Sequence, residues 1–211
     1  MKIPPASTKR NRFVRVLAHL CEERIRRHLG RRTGAARVAR PQSPEKHGEV
    51  SYLRMPHLNG DLLCFVAEDD LWLAPLDGPG RAWRLTVDRT KAGHPRFSPD
   101  GSRIAYTTWH SLVPEIHLTP VDGGPGRRLT YWGSTDTQVC GWTPPDADGH
   151  SDILAVTSQG EPFSYFTWAY KLPTDGSPGR KLPWGPVTDL QTADIDGEHR
   201  TCCSPAHPAR T

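Results

Sequence analysis

The chain has 211 residues, of which 27 are Lys or Arg, 23 are Asp or Glu, 19 are Gly and 21 are Pro. Nearly one residue in five therefore interrupts regular backbone, which excludes a bundle of long helices. With a mean hydropathy of −0.60 and no run of about 20 apolar residues, the sequence predicts a chain that does not cross a membrane.

The charge is distributed unevenly along the chain. Residues 1–48 hold 13 Lys or Arg and 3 Asp or Glu, a balance of +10, whereas the remainder holds 14 basic and 20 acidic residues, a balance of −6. Apolar residues at helical spacing from Phe13 to Leu29 predict a short basic amphipathic helix. We expect residues 1–50 to be a basic, partly helical or disordered N-terminal extension. Binding of nucleic acid by residues 9–40 is the less favoured alternative.

Five cysteines occur without a CxxC spacing and without a histidine placed to complete a zinc site. The odd number disfavours a disulfide framework and indicates a reducing compartment. The apolar stretch that begins at Phe13 is interrupted by Arg15 and His19, so it does not resemble a secretory signal. The sequence therefore predicts a cytoplasmic chain. The cysteines are Cys21, Cys64, Cys140, Cys202 and Cys203. Cys64 and Cys140 lie among apolar strand-like residues, so we expect both to be small buried hydrophobic residues.

From Ser51 onward, short alternating segments separated by turn residues predict β-strands. The first four strands are predicted at 52–57, 62–67, 70–75 and 81–86. The dipeptide Asn59-Gly60 between the first two is well suited to a tight hairpin because both residues tolerate positive φ. Together they form a first four-stranded unit, residues 51–87.

The same pattern then repeats. Leu85-Thr86 and Leu129-Thr130 lie 44 residues apart and close the first and second units. The second unit covers 93–131, the third covers 138–183 with an insertion near 159–164, and a fourth opens at 187–200. Four strands in about 44 residues are typical of a β-propeller blade. We predict an all-β fold, an incomplete β-propeller of about three four-stranded blades plus the start of a fourth over residues 51–200.

Particular motifs in this region resemble a known family. The hairpin Phe97-Ser98-Pro99-Asp100-Gly101 resembles the TolB-like and WD40-like propeller repeats, which names a fold but no function. A fuller match covers about residues 51–200 and resembles the first two blades of tricorn protease. The segments that carry it are Tyr52-Leu53-Arg54, Pro56-His57-Leu58, Asp61 to Ala67, Glu68 to Leu73, Arg81 to Thr86, His94 to Gly101, and Glu115-Ile116-His117 through Gly123-Gly124 to Leu129-Thr130.

The resemblance implies a six-bladed propeller at the N-terminus of a longer serine peptidase that degrades oligopeptides in the cytoplasm. It implies peptide substrates, a homohexameric assembly, and a propeller that forms a channel to a catalytic chamber. The catalytic residues of that family belong to its C-terminal part, and nothing in this sequence matches them. We therefore assign no catalytic, cofactor or metal residue, and we expect this chain alone to lack peptidase activity.

The two ends of the chain depart from the family pattern. Residues 1–50 are unmatched, and we expect the family's beginning nearer Val50 or Met55. Residues 201–211 form a non-matching tail, because two prolines in four residues, Pro205 and Pro208, cannot pair in a central strand. We interpret the tail as a frameshifted or truncated reading frame and residues 1–50 as a start placed too early.

Other candidate sites are weaker. No Gly-x-Ser-x-Gly elbow, His-Glu-x-x-His pair or phosphate-binding loop with Lys-Ser/Thr is present, and Gly123 to Gly126 is predicted to be a turn between strands. The acidic run Glu68-Asp69-Asp70 is compatible with a channel mouth that attracts peptide amino termini, but it is more typical of a solvated turn. Four histidines fall in or beside different strands without metal-ligand spacing, namely His57, His94, His110 and His117.

One further interpretation stays open. The alternative to a peptidase propeller is a stand-alone, non-enzymatic protein-binding module of the TolB type. Such a module would need a closed ring of blades.

Overall fold

The computed structural model describes residues 53–77, 80–87, 90–163, 166–195 and 198–205. These residues form three four-stranded antiparallel sheets and one two-stranded sheet, so the predicted all-β, open propeller is confirmed. Among them, no helix has the length and apolar character needed to span a membrane. The predicted amphipathic helix and the rest of residues 1–50 lie outside the described residues.

The strands follow one another in chain order within each sheet. Blade 1 contains β1 (Arg54–Asn59), β2 (Leu62–Ala67), β3 (Asp70–Pro75) and β4 (Trp83–Arg84). Blade 2 contains β5 (Lys91–Phe97), β6 (Arg103–Trp109), β7 (Glu115–Pro120) and β8 (Arg127–Arg128). Blade 3 contains β9 (Gln138–Trp142), β10 (Ile153–Thr157), β11 (Trp168–Leu172) and β12 (Arg180–Lys181). The two-stranded sheet contains β13 (Val187–Ile195) and β14 (Glu198–Pro205).

Apolar side chains pack between neighbouring sheets. Along β6, Ile104 and Tyr106 pack towards blade 1, whereas the intervening Ala105 packs towards blade 3. Along β10, Ile153 faces blade 2 and Leu154 faces the sheet of β13 and β14. Because successive strand residues point to opposite faces, a central strand covered on both sides must be apolar at every position. This explains why β10 is buried along its whole length.

Two tight turns join the strands of blade 1. Asn59 is the last residue of β1 and pairs with Leu62, so the loop is Gly60-Asp61, one residue later than predicted. Gly60 supplies the positive φ of 54° that this turn requires. The β2–β3 turn places Glu68 and Asp69 at φ 50° and 65°, a geometry that favours the twist of a two-residue hairpin.

The Ser-Pro-Asp-Gly hairpin of blade 2 is held by side-chain hydrogen bonds. The Ser98 hydroxyl accepts from the Arg103 amide at 3.0 Å, and the Asp100 carboxylate accepts from the Ser102 amide at 3.1 Å. Hydrogen bonds from Ser102 and Ser98 lower the pKa of Asp100 to about 2. The motif that identified the repeat therefore owes its residues to turn chemistry.

A buried carboxylate joins the third and fourth strands of two blades. In blade 1, Asp70 accepts a hydrogen bond from Thr86 Oγ1 at 2.8 Å and pairs with Arg84. In blade 2, Glu115 accepts a hydrogen bond from Thr130 and pairs with Arg128. We call this arrangement the carboxylate clamp. It explains the spacing of Leu85-Thr86 and Leu129-Thr130, since each threonine follows the last strand of its blade.

Blade 3 replaces the carboxylate clamp by a different contact. Trp168 stands at the start of β11, where the other blades have an acid, and Pro183 follows Leu182 where the others have Thr. The Lys181 ammonium lies 4.0 Å from the centre of the Trp168 ring and pairs with Glu161. A cation–π contact thus joins the two outer strands of this blade.

The end of the strand-forming region differs from the prediction. β14 pairs with β13 as far as Pro205, opposite Val187, rather than ending at about residue 200. Proline is tolerated there because it is the last residue of a strand that has only one described neighbour. The insertion predicted near 159–164 corresponds to the connection between β10 and β11, which is longer than its counterparts in blades 1 and 2.

Candidate functional site

The innermost strands of the four sheets lie side by side. We call β1, β5, β9 and β13 the axial strands. The Phe97 amide of β5 donates to His57 Nδ1 of β1 at 3.2 Å, and the Trp142 indole of β9 donates to the Arg96 carbonyl of β5 at 3.0 Å. Thr192 of β13 donates to the Trp142 carbonyl at 3.2 Å. Each axial strand is therefore tied to the next, and together they form the wall of the propeller axis.

Arg96 is the central charged group of this wall. Its Nε donates to the Cys140 carbonyl at 2.8 Å and its Nη1 donates to the Pro95 carbonyl at 2.9 Å. Burial lowers the pKa of Arg96, and the charge of the Asp189 carboxylate opposes this effect. The sequence pattern marked Arg96 only as part of a strand, because its neighbours belong to sheets about 45 and 90 residues further along the chain.

Two histidines flank Arg96 in the neutral form. Burial, followed by the charge of Arg96, lowers the pKa of His57 to about 4. Burial and then Arg96 also lower the pKa of His94, which Asp189 partly opposes. The axial wall therefore presents neutral imidazoles near pH 7. These two histidines were predicted to lie in separate strands, and the tertiary structure places both on the axial wall.

The buried cysteines are small core residues, as the sequence predicts. Cys64 and Cys140 are both buried free thiols. Burial raises the pKa of Cys140 to about 12 and also raises that of Cys64. A thiol that stays protonated is a poor nucleophile, so these residues support packing rather than chemistry. Cys202 and Cys203 are exposed on β14.

The acidic run between β2 and β3 does not form a uniform acidic surface. Asp70 is buried in the carboxylate clamp, with 3% of its surface exposed. Asp69 pairs with Arg54 of β1 at 2.9 Å, and Glu68 is exposed. The interpretation of all three as solvated turn residues was therefore wrong for Asp70, since its clamp partner Thr86 lies 16 residues away and no local pattern indicates it.

His110 and His117 form a stacked pair across the β6–β7 hairpin, with ring centres 4.8 Å apart. His117 is buried and also lies 5.8 Å from the Tyr106 ring. The sequence placed these histidines in separate elements. It missed the pairing because the contact depends on the length of the hairpin loop, not on regular spacing.

The β9–β10 loop contains a further polar group, in which ligand atoms of Asp146, Asp148 and His150 lie within 4.8 Å of one another. All three are exposed. The Asp146 carboxylate accepts hydrogen bonds from the amides of Asp148 and His150 at 3.0 and 2.8 Å. These bonds account for the loop conformation. The glycine-rich segment 123–126 likewise lies in a loop between two strands, β7 and β8.

Among the described residues, the one thiol on the axial wall, Cys140, is buried, and burial raises its pKa to about 12, so it stays protonated. Burial lowers the pKa of His57 to about 4, which makes its imidazole a weak base, and Arg96 is held by carbonyl groups. Exposed polar side chains are nevertheless present on the axial wall, including Lys91, Thr188 and Gln191. These three side chains can form hydrogen bonds with a polar ligand.

The family "Tricorn protease N-terminal beta propeller domain" matches residues 50–206. A 154-residue segment, 73% of this chain, is 77% identical to "Putative tricorn protease homolog 2" of Streptomyces coelicolor and spans 13% of that protein. A 149-residue segment, 67% of this chain, is 32% identical to "Putative Tricorn-like protease N-terminal subunit" of Sulfurisphaera tokodaii and spans 72% of it.

Solved structures agree on the fold. The crystal structure of the tricorn protease matches with a TM-score of 0.59 and 28% identity over 70% of this chain and 15% of that one. TolB from Acinetobacter baumannii matches with a TM-score of 0.50 and 17% identity over 68% of this chain and 38% of that one, which shows the propeller fold alone. The match over residues 50–206, together with the repeated blades described above, shows that the chain belongs to the tricorn protease family and carries part of its N-terminal β-propeller domain.

Proposed function

We propose that residues 50–206 act as a substrate-access element of a tricorn-type peptidase, through which oligopeptides pass to a catalytic core outside this chain. The observation that carries the proposal is the axial wall, in which the first strands of four sheets are joined to one another by hydrogen bonds. Family membership supplies the reaction class, because the relatives are named as proteases.

The proposal assigns no bond-breaking step to this chain. The purified chain is expected not to hydrolyse fluorogenic peptides, since the thiol of Cys140 stays protonated and burial makes the imidazole of His57 a weak base. We also propose a cytoplasmic location, for which the free buried thiols of Cys64 and Cys140 give support. Assembly of the intact peptidase as a homohexamer remains a further part of the proposal.

The test is a chimera in which residues 50–206 replace the matching segment of the 77%-identical Streptomyces coelicolor relative. Gln191→Trp adds bulk at an exposed position on the axial strand β13. We expect it to slow hydrolysis of peptides of about ten residues severalfold, while cleavage of a tripeptide substrate stays within about twofold, because a narrowed path obstructs larger substrates more.

The matched control is Thr201→Trp, which adds the same bulk at an exposed position on β14, one strand away from the axial strands. It is expected to leave both rates unchanged. Equal slowing of long and short peptides by Gln191→Trp, or equal effects of the two substitutions, would contradict the access function.

A further inference from the structure

The two ends of the propeller have different surfaces. Within each antiparallel sheet, the first-to-second and third-to-fourth strand turns lie at one end, and the second-to-third turns lie at the other together with the connections between blades. A hydrogen bond of 2.8 Å from the Ala92 amide to the Asp69 carbonyl joins the start of β5, where a connection between blades ends, to a second-to-third turn. Apart from the β13–β14 turn, the loops at the two ends have the same total length.

The first end is the more acidic of the two, since the loops of the second end hold five Asp or Glu and one Arg. The loops of the first end are 60–61, 76–82, 98–102, 121–126, 143–152 and 173–179, and they hold eight aspartates against one arginine, Arg81. The aspartates are Asp61, Asp77, Asp100, Asp122, Asp146, Asp148, Asp152 and Asp175. No exposed large hydrophobic residue lies in the described part of these loops. We call this the acidic end.

The second end carries most of the exposed large hydrophobic side chains. Nine such residues are exposed among those described, and six of them lie in the loops 68–69, 85–90, 110–114, 129–137, 158–167 and 182–186. They are Val87, Leu112, Tyr131, Phe163, Phe166 and Trp184. We call this the apolar end. The other three, Met55, Leu58 and Trp83, lie within strands.

The apolar residues recur at equivalent positions. Val87 and Tyr131 directly follow the clamp threonines of blades 1 and 2, and Trp184 follows the corresponding Pro183 of blade 3. Val87 is 69% exposed and Tyr131 is 78% exposed. Single exposed hydrophobic residues are common on protein surfaces, but six of them in the loops of one end mark an interaction surface.

The same end contains a small apolar cavity of about 260 Å³. It is lined by Phe163, Phe166, Trp168 and two prolines, with Glu161 at its margin. Sites for drug-sized ligands measure about 300–1,000 Å³, so this cavity suits an anchoring side chain of a protein rather than a separate small molecule. The cavity has aromatic walls and lies among the exposed hydrophobic residues of blade 3, so it too indicates a protein partner.

We propose that the apolar end docks on the body of a tricorn-type peptidase, while the acidic end faces solvent. The occupant is indicated by the comparisons, since the matched segment spans only 13% of the 77%-identical relative and leaves a large body that could cover this surface. This proposal rests on the proposed function, because it assumes that such a peptidase body exists. Its new element is that the apolar end, not the acidic end, faces that body, which sets the direction in which peptides would move through the propeller.

The test compares side-chain oxidation by hydroxyl radicals in two proteins, the full 211-residue chain and the chimera described above, without substrate. We expect oxidation of Tyr131, Phe163 and Trp184 to fall about fivefold or more in the chimera, because docking removes them from water. Trp83 is the matched control, since it is 43% exposed on β4 against 39% for Trp184 at the apolar end. Its oxidation is expected to stay unchanged.

Each other outcome overturns the proposal. Equal oxidation of the apolar end in both proteins shows that the body does not cover it, and protection of Trp83 instead shows docking through another surface. The apolar end is instead already protected from oxidation in the 211-residue chain if something else covers it. Protection that does not depend on concentration then shows that residues 13–29 cover it, and protection that is lost on dilution shows that a second copy of the chain covers it. The peptide-length comparison does not depend on these results, so a failure of docking and a failure of the access function are distinguishable.

Discussion

The carboxylate clamp of blade 2 allows a sharp test of what holds the outer strand of a blade. Thr130 is 2% exposed, and its hydroxyl both donates to Glu115 and accepts from the Ile116 amide at 2.9 Å. Thr130→Val keeps the shape of the side chain but removes both hydrogen bonds. A buried amide and one carboxylate lone pair are then left without this partner.

The magnitude follows from these two bonds. An unsatisfied buried polar group costs about 1–3 kcal/mol, and Glu115 retains the Trp132 and Gly133 amides as donors at 3.1 and 3.0 Å. The main loss is therefore that of the Ile116 amide, and we expect the free energy of unfolding to fall by about 2–3 kcal/mol. Thr86→Val in blade 1 removes the same pair of bonds, to Asp70 and the Leu71 amide, and is expected to give a similar loss.

Urea denaturation followed by tryptophan fluorescence measures the effect, with the midpoint and slope of each transition compared between variants. The matched control is Thr135→Val, because Thr135 is exposed and contacts only the neighbouring Asp136 side chain at 3.2 Å. It should change the free energy of unfolding by less than about 0.5 kcal/mol. If Thr130→Val is no more destabilising than Thr135→Val, the clamp does not hold the strand.

Two further predictions concern the axial wall and the first hairpin. The pKa of His57 falls from 6.5 in the unfolded chain to about 4 in the folded chain, so the unfolded chain binds more protons between these pH values. The free energy of unfolding should therefore fall by about 2 kcal/mol as the pH is lowered from 7 to 5. Urea midpoints at the two pH values measure this loss of stability. The parent chain and a His150→Gln control should show the full loss, whereas His57→Gln should show a smaller one. A full loss in His57→Gln would exclude His57 as the source. Gly60→Ala should destabilise by about 1–2 kcal/mol, since an alanine is strained at φ 54° although no atom lies within 4 Å of its Cβ. Gly141→Ala, at a position without positive φ, is the control for thermal unfolding, and equal melting temperatures would refute backbone strain as the cause.

The chemical contrast between the two ends bears on how a blade is built. Each blade places its carboxylate clamp or its cation–π contact at the apolar end, because the second-to-third turns and the connections between blades meet there. The residue that follows each clamp position is therefore presented outward at that end. The contact that joins the third and fourth strands recurs in every blade, so it also sets the spacing of the exposed residues Val87, Tyr131 and Trp184.

Sequence alone determined the features whose physical causes are local. β2 and β3 begin and end where alternation and turn residues predicted, and the 44-residue spacing of Leu85-Thr86 and Leu129-Thr130 identified the blades. Turn chemistry and period-two alternation act within a few residues, so they can be read without knowledge of distant neighbours. The buried states of Cys64 and Cys140 followed from the same apolar segments.

Only the tertiary structure decided the features that join distant parts of the chain. Asp70 is buried because Thr86 and Arg84 reach it across a sheet. His57 and Asp189 both lie near Arg96 because the three blades and the two-stranded sheet place their first strands side by side. The separation of an acidic end from an apolar end also depends on strand direction. Burial, electrostatic coupling and surface polarity depend on the neighbours that folding brings together, and residues far apart in sequence carry no local signal of that proximity.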